Sequence, residues 1–220
     1  MLVLPDALVF DFDGTFIDTE APEFESVGLM WAEFGRELTI EHWQQFVGHA
    51  GFDWVRDLEH ELGRHLDRAP LESRRRRINA DLLEHQGPRA GVKELIDQAE
   101  ANGVPVGIAS NAPEAWVEHH LERTGMTNRI LAVRAIEHVA RGKPAPDVYL
   151  SACEALGART ERSIAFEDSV IGVTAAKRAG LFTVATPHAL SAGHDLSAAD
   201  LVVPSLASVA LESLTVGWRT

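Results

Sequence analysis

Six short apolar runs, separated by longer segments with helical spacing, constrain the fold of this chain more than any other feature. The runs are Leu8 to Phe12, Val104 to Ala109, Ile130 to Val133, Ser163 to Phe166, Leu181 to Ala185 and Leu201 to Val203. Strands of a parallel sheet are buried on both faces, so they read as continuous apolar runs. The patterns at 92–99 and 148–156 have the spacing of crossover helices that pack on such a sheet. The sequence therefore predicts an α/β protein with a doubly wound parallel-sheet core.

The segment from 16 to 88 differs from the rest of the chain, because it shows helical patterns and no convincing strand. Ligands bind α/β sheets at the carboxyl ends of the strands, and this helical block directly follows the first strand. We therefore expect an inserted α-helical cap domain of residues 16–88. The remaining residues, 1–15 and 89–220, are expected to form the α/β core domain.

Composition limits the partners and the location of the protein. The 220 residues carry a net charge of -13, which argues against nucleic acid or an anionic membrane surface as the main partner. Asp6 interrupts the N-terminal apolar stretch, and no run of about 18 apolar residues occurs, so we expect a cytoplasmic protein. Cys153 is the only cysteine and lies in an apolar helical pattern, which indicates core packing.

Two aspartates one residue apart, Asp11 and Asp13, stand at the end of the first apolar run. Side chains at alternate positions of an extended chain project to the same side, so these carboxylates share a site or repel each other. Such a pair needs a cation, a proton or a chemical role. Taken alone, the pair is equally well explained by a strand that ends in a loop with a helix cap.

Three later segments supply polar groups that complement the aspartate pair. Ser110 and Asn111 follow the second run, Glu167 and Asp168 follow the fourth, and Lys143 lies in a proline-rich turn. Each segment alone is explained by helix capping or, for the lysine, by surface exposure. Together, several carboxylates in one cleft need a divalent cation, and oxygen ligands suit Mg²⁺. The hydroxyl, amide and ammonium groups complete a receptor for a phosphoryl group.

These segments, in this order, resemble the four signature motifs of the haloacid dehalogenase superfamily. They read D-F-D-G-T at 11–15, S-N at 110–111, G-K-P-A-P-D at 142–147 and E-D-S at 167–169. The helical insertion after the first motif is similar to the C1-type cap of the β-phosphoglucomutase-like subfamily. The resemblance implies a Rossmann-like core and phosphoryl-transfer chemistry.

The same resemblance implies catalytic roles for four residues. Asp11 would attack phosphorus and form an aspartyl-phosphate, which divides one difficult displacement into two easier ones. Asp13 would protonate the leaving alcohol and then activate water. Ser110 and Lys143 would bind the oxygens of the transferring group, helped by the backbone N–H of Asn111.

Mg²⁺ is the cofactor that the resemblance implies. Its ligands would be an Asp11 oxygen, the Asp13 backbone carbonyl and Asp168. Glu167 would be an outer or additional ligand. Phosphoryl transfer depends mainly on positioning and charge neutralisation, so this set of residues is sufficient.

Several chemistries of the superfamily are distinguished by single residues. Dehalogenases of the superfamily lack the second aspartate, so Asp13 argues against dehalogenation. Phosphonoacetaldehyde hydrolases need a cap lysine, and no lysine occurs in 16–88. In a β-phosphoglucomutase, a cap arginine and a histidine hold a second phosphate, but here those positions fall near Gly51 and Glu23, which cannot bind one. We therefore predict a phosphatase acting on a small phosphorylated metabolite such as a sugar phosphate, with a mutase as the alternative and a phospho-acceptor signalling domain as a weaker one.

Candidate substrate-binding residues of the cap occur in two segments. In the loop 48–54, His49 could bind polar groups of the leaving alcohol, and Phe52 or Trp54 could shape an apolar wall or pack in the cap core. In the arginine run at 74–77, Arg77 is a candidate for a second anion site, although a solvated helix face is the simpler explanation. We also expect a monomer, because a mobile cap suits a protein that acts as a single chain.

Overall fold

In the computed structural model, which describes residues 4–44, 53–191 and 194–215, the central feature is a parallel sheet. Its six strands have the order β3-β2-β1-β4-β5-β6, and all neighbours are parallel. The strands are β1 (Ala7–Phe10), β2 (Val106–Ala109), β3 (Ala132–Arg134), β4 (Ser163–Glu167), β5 (Phe182–Ala185) and β6 (Leu201–Val202). The predicted parallel sheet is confirmed, and β1 lies at its centre.

Helices cover both faces of this sheet, which makes it doubly wound. Leu8 and Phe10 of β1 lie in one apolar cluster with residues of α5 (Val92–Ala101) and α6 (Glu114–Arg123). Val9, which points to the other side, lies in a second cluster with residues of α7 (Asp147–Ala155) and α8 (Val170–Ala179). Both faces are therefore buried, and this explains why the strands read as unbroken apolar runs.

The described chain divides into two compact units. The α/β unit contains residues 4–17, 87–187 and 194–215. The helical unit contains residues 18–44, 53–86 and 188–191. The helical unit is thus an insertion after β1, joined by a short segment that follows β5. The expected domain bounds of 16–88 and the capping role stay predictions.

The helical unit is built from four helices within the described residues: α1 (Glu20–Ala32), α2 (Ile40–Gln44), α3 (Trp54–Leu62) and α4 (Arg68–Leu83). Its core contains Val27, Met30, Trp31 and Leu58, together with Leu190 from the segment after β5. Asp53 caps α3, since its carboxylate accepts the Arg56 backbone N–H at 3.0 Å.

Two further expectations concern single features of the chain. Cys153 is buried in α7, and burial raises the pKa of its thiol to about 11. Its interpretation as core packing is confirmed. Within the described residues, every helix is too short or too polar to cross a membrane.

Candidate active site

The register of three strands brings the polar groups of the sequence motifs to one edge of the sheet. Phe10 of β1 is paired with Ile108 of β2 and with Phe166 of β4, so all three strands end at the same level. Asp11 continues the ladder, because its N–H donates to the Phe166 carbonyl at 2.9 Å. Ser110 does the same beyond β2, since its N–H donates to a β3 carbonyl at 2.9 Å. The residues that follow these strands therefore lie at one edge of the sheet.

Lys143 forms hydrogen bonds with two of the predicted carboxylates. Its ammonium group is hydrogen-bonded to Asp11 Oδ1 and lies 2.6 Å from Glu167 Oε1. All three residues are buried, and Glu167 is fully inaccessible. Tyr149 of α7 donates its O–H to the same Glu167 oxygen at 2.7 Å, and the Lys143 Nζ lies 4.9 Å from the centre of the Tyr149 ring. Residues from three separate motifs are thus bound into one buried cluster.

Asp168 is also buried, and one of its carboxylate oxygens lies within 4.8 Å of oxygens of Asp11 and Glu167. Its Oδ1 accepts the hydroxyl of Thr15 at 2.9 Å, which connects the loop after β4 to the loop after β1. Gly14 allows this approach, because a Cβ at that position would lie 2.2 Å from Asp168 Oδ2 and its φ of +78° favours glycine. The glycine of the first motif is therefore needed for contact between the two loops.

The site carries more negative than positive charge. Burial raises the pKa of the Asp11 carboxyl well above its usual value, and the Glu167 and Asp168 carboxylates add to this rise while Lys143 opposes it. Burial also opposes the Lys143 charge, but Asp11 and Glu167 outweigh that effect and raise the pKa of the ammonium group. An additional cation would therefore be favoured here.

The donor set fits a hard divalent cation. One carboxylate oxygen from each of Asp11, Glu167 and Asp168 lies within 4.8 Å of the other two. Oxygen ligands from carboxylates are the ones that Mg²⁺ binds in proteins, usually with water and substrate oxygens completing its shell. These residues could hold Mg²⁺.

The side chains of Ser110 and Asn111 form hydrogen bonds with nearby backbone groups. Ser110 is buried, and its hydroxyl accepts the Ala112 N–H at 3.0 Å in the turn before α6. The Asn111 side chain accepts the Lys143 N–H at 2.8 Å and donates to the Lys143 carbonyl at 3.3 Å. Asn111 therefore holds the lysine loop in place, a role that its side-chain chemistry allows but its spacing in the sequence did not indicate.

Asp13 has a partner that sequence reasoning missed. The indole N–H of Trp116, in the first turn of α6, donates to Asp13 Oδ1 at 3.0 Å. Thr15 and Tyr149 were missed as well. Thr15 lies within a recognised motif and could have been found there. An aromatic residue at helical spacing is usually core, so the sequence contains no signal for Trp116 or Tyr149.

The structure describes only some of the predicted substrate residues of the cap. His49, Phe52 and Gly51 lie outside the described residues. Arg77 is exposed on α4 of the helical unit, and Trp54 packs in the core of that unit.

Other charged residues of the helical unit have local partners. Arg74 forms an ion pair with Glu33 at 2.8 Å. Glu23, near which we placed the histidine of a mutase, accepts a hydrogen bond from Arg75 at 2.5 Å. The acid at position 23 is thus engaged within its own unit.

Comparison with known proteins identifies the family. Residues 8–186 match the family model described as haloacid dehalogenase-like hydrolase. The chain is 36% identical over 183 residues to YhcW of Bacillus subtilis, which is assigned as a phosphatase, and the match covers 83% of each chain. It is 26% identical over 202 residues to a phosphatase of phosphorylated carbohydrates from Thermotoga maritima, with 90% of this chain and 92% of that protein covered.

A solved structure agrees with these matches. The crystal structure of a hydrolase of the same family from Deinococcus radiodurans, with bound phosphate and sodium, has a TM-score of 0.78 and 26% sequence identity, and the match covers 92% of each chain. The phosphatases among the relatives support a phosphoric monoester hydrolase. The chain belongs to the haloacid dehalogenase-like hydrolase family.

Proposed function

We propose that this protein is a Mg²⁺-dependent phosphatase that hydrolyses a small phosphorylated metabolite, such as a sugar phosphate, through an aspartyl-phosphate. One observation carries the proposal: a lysine ammonium and three carboxylates, drawn from three of the four motifs, meet in a buried cluster at the carboxyl edge of the sheet. This arrangement buries like charges that repel one another, which is costly for folding. It is useful for a site that must bind and transfer a phosphoryl group.

Asp11 is the nucleophile in this proposal. Its carboxylate oxygen forms a bond to phosphorus while the bond from phosphorus to the leaving oxygen breaks. Lys143 is held beside Asp11 by Glu167 and by the clamp that Asn111 places on its backbone. The ammonium group therefore neutralises charge on the transferring oxygens without first having to reorganise. Ser110 would bind one of these oxygens.

Asp13 is the proposed acid and base. In the first step it gives its proton to the leaving oxygen, which departs as an alcohol. In the second step it accepts a proton from the water that attacks phosphorus, so the bond to Asp11 breaks and inorganic phosphate is released. The enzyme returns to its starting state, with Asp13 protonated and the Asp11 carboxylate restored.

Asp11, Asp168 and the Asp13 backbone carbonyl would hold Mg²⁺, with Glu167 beside them. When bound, the ion would neutralise negative charge on the transferring group and on the carboxylates around it. Thr15 orients Asp168 through the hydrogen bond at 2.9 Å. The relatives support the substrate class, because one of them is a phosphatase of phosphorylated carbohydrates.

The cytoplasmic location, the monomeric state and the lack of nucleic acid or membrane partners stay predictions from the sequence. The role of Arg77 and His49 in substrate binding also stays a prediction.

Hydrolysis of p-nitrophenyl phosphate tests the proposal, with and without Mg²⁺. We expect Asp11→Asn to remove activity, because the amide cannot attack phosphorus, while the circular dichroism spectrum stays unchanged. A panel of phosphorylated metabolites, assayed for released phosphate and for isomerised hexose phosphate, would then identify the substrate. Retained turnover in Asp11→Asn contradicts the nucleophile assignment, and isomerised product without phosphate release favours the mutase.

A further inference from the structure

We propose that Trp116 is a positioning residue that orients the acid/base carboxylate of Asp13 for proton transfer. The inference rests on the proposed function, in which Asp13 protonates the leaving oxygen. It extends that function to a residue outside the four sequence motifs. The contact that carries it is the hydrogen bond from Trp116 Nε1 to Asp13 Oδ1, at 3.0 Å.

The chemistry of the indole defines what this hydrogen bond can do. An indole nitrogen is only a donor, so Asp13 Oδ1 must act as the acceptor in the pair. In a protonated carboxyl group the carbonyl oxygen is a better acceptor than the hydroxyl oxygen, so this hydrogen bond favours the proton on the other oxygen. Trp116 thus favours the proton on Oδ2 and directs Oδ1 towards α6. The side chain is held in one orientation for both proton transfers, and Trp116 itself exchanges no proton.

The surroundings of Trp116 make it a rigid donor. It lies in the first turn of α6, and its ring contacts the His120 ring edge to face, with centroids 4.3 Å apart. His120 is buried, and its Nδ1 accepts a hydrogen bond from Arg123 Nε at 3.3 Å. Trp116 also packs against the main apolar cluster of the α/β unit. Packing that restricts the movement of a donor helps to orient its acceptor, which is what proton transfer in a transition state requires.

α6 directly follows the turn of Ser110 and Asn111. One short segment therefore supplies both a phosphoryl-binding hydroxyl and, five residues after Asn111, the group that orients the acid. α6 and the turn before it would thus serve both phosphoryl binding and orientation of the acid in the α/β unit.

The leaving group of the substrate provides a readout that a purely structural role would not change. An alkoxide is a strong base and leaves only when protonated, whereas p-nitrophenolate leaves with little help from an acid. The value of kcat/KM reports the chemistry up to formation of the aspartyl-phosphate, when the leaving oxygen departs. Misplacing the acid should therefore slow an alkyl phosphate much more than p-nitrophenyl phosphate.

The main experiment is Trp116→Phe, which removes the N–H and keeps an aromatic ring. We expect kcat/KM for a sugar or other alkyl phosphate to fall about tenfold to a hundredfold, as for loss of a hydrogen bond to a carboxyl group that becomes charged as it gives up its proton. For p-nitrophenyl phosphate we expect a change of less than about threefold. Equal losses for both substrates, or no loss for either, would overturn the proposal.

Two variants serve as matched references. Trp31→Phe removes an indole N–H from the helical unit and should leave the ratio of the two kcat/KM values unchanged. Trp116→His keeps a ring N–H and should lose less alkyl phosphate activity than Trp116→Phe. If the histidine variant loses as much as Trp116→Phe, the hydrogen bond is not the cause.

Asp13→Asn separates the failure of this inference from failure of the proposed function. If Asp13→Asn hydrolyses the alkyl phosphate at the normal rate, Asp13 is not the acid and both ideas fail. If Asp13→Asn is slow, the double variant with Trp116→Phe should be no slower, because Trp116 acts only through Asp13. A further loss in the double variant would show that Trp116 acts by another route, and it would overturn this inference alone.

Discussion

The two units of this protein use charge in opposite ways. In the α/β unit, Asp11, Lys143 and Glu167 are buried together and bonded to one another. In the helical unit, the ion pair of Arg74 with Glu33 lies at the surface, with side chains 55% and 33% exposed. Buried charges are costly unless all are paired, whereas exposed pairs contribute at most about 1 kcal/mol. The α/β unit thus contains a buried charge cluster that is costly for folding, whereas the exposed Arg74–Glu33 pair of the helical unit carries no such cost.

The tryptophans of the two units show the same contrast. In the helical unit, the indole nitrogens of Trp31 and Trp54 are buried without an acceptor among the described residues. In the α/β unit, the indole of Trp116 donates to Asp13. The same side chain thus fills space in one unit and serves a polar role in the other. What surrounds the residue decides between the two.

The largest expected effect is in Lys143→Met, which tests whether the charges of the α/β unit are truly buried together. Removing the ammonium leaves Asp11 and Glu167 facing each other without a cation. We expect the free energy of unfolding to fall by about 3–5 kcal/mol in the absence of divalent ions. Phosphatase activity should be lost as well. Urea unfolding at pH 7 measures the first effect, and added Mg²⁺ should restore part of the stability.

Lys93→Met is the control for that variant. Lys93 lies 2.9 Å from Asp97 on α5, and the two side chains are 62% and 48% exposed. The expected loss is at most about 1 kcal/mol. Equal losses in the two lysine variants would remove the distinction between buried and exposed charge in this unit.

A smaller effect is expected at Asp53, which stabilises the helical unit locally. Asp53→Ala removes the acceptor for the Arg56 N–H and the ion pair with Arg68. We expect the free energy of unfolding to fall by about 1 kcal/mol, while kcat is unchanged. Asp53→Asn retains a capping side chain and should lose less. Thermal or urea unfolding of both variants measures the loss of stability, and activity assays run in parallel measure kcat. A drop in kcat would show that the helix-capping residue Asp53 affects catalysis.

The smallest effect is expected for Arg77→Ala, because this side chain is exposed on α4. Stability should change by less than about 0.5 kcal/mol, as for other surface substitutions. We also expect KM for a sugar phosphate to match that of Arg76→Ala, a neighbouring exposed arginine. A higher KM in Arg77→Ala alone would assign Arg77 to a second anion site, so steady-state kinetics with both variants decides the question.

Sequence reasoning was most successful where backbone geometry controls the outcome. Asp11, Ser110 and Glu167 could be placed at one edge because each ends an apolar run, and parallel strands end at a common edge. It was less successful where a side chain from a helix reaches into the site. Trp116 and Tyr149 stand in helical patterns whose spacing indicates only packing. Their partners are 103 and 18 residues away in the chain, so no local signal connects them.

The amino-acid sequence by itself determined the α/β class, the helical insertion and the chemical nature of the site. Each of these follows from local patterns: apolar periodicity, the polar residue after a strand and the residue types that bind Mg²⁺ and phosphate. Only the tertiary structure decided which carboxylates Lys143 contacts, that the Asn111 side chain bonds to the lysine loop, and that the Trp116 indole donates to Asp13. These contacts depend on the packing of helices against the sheet, and packing is set by residues far apart in the chain.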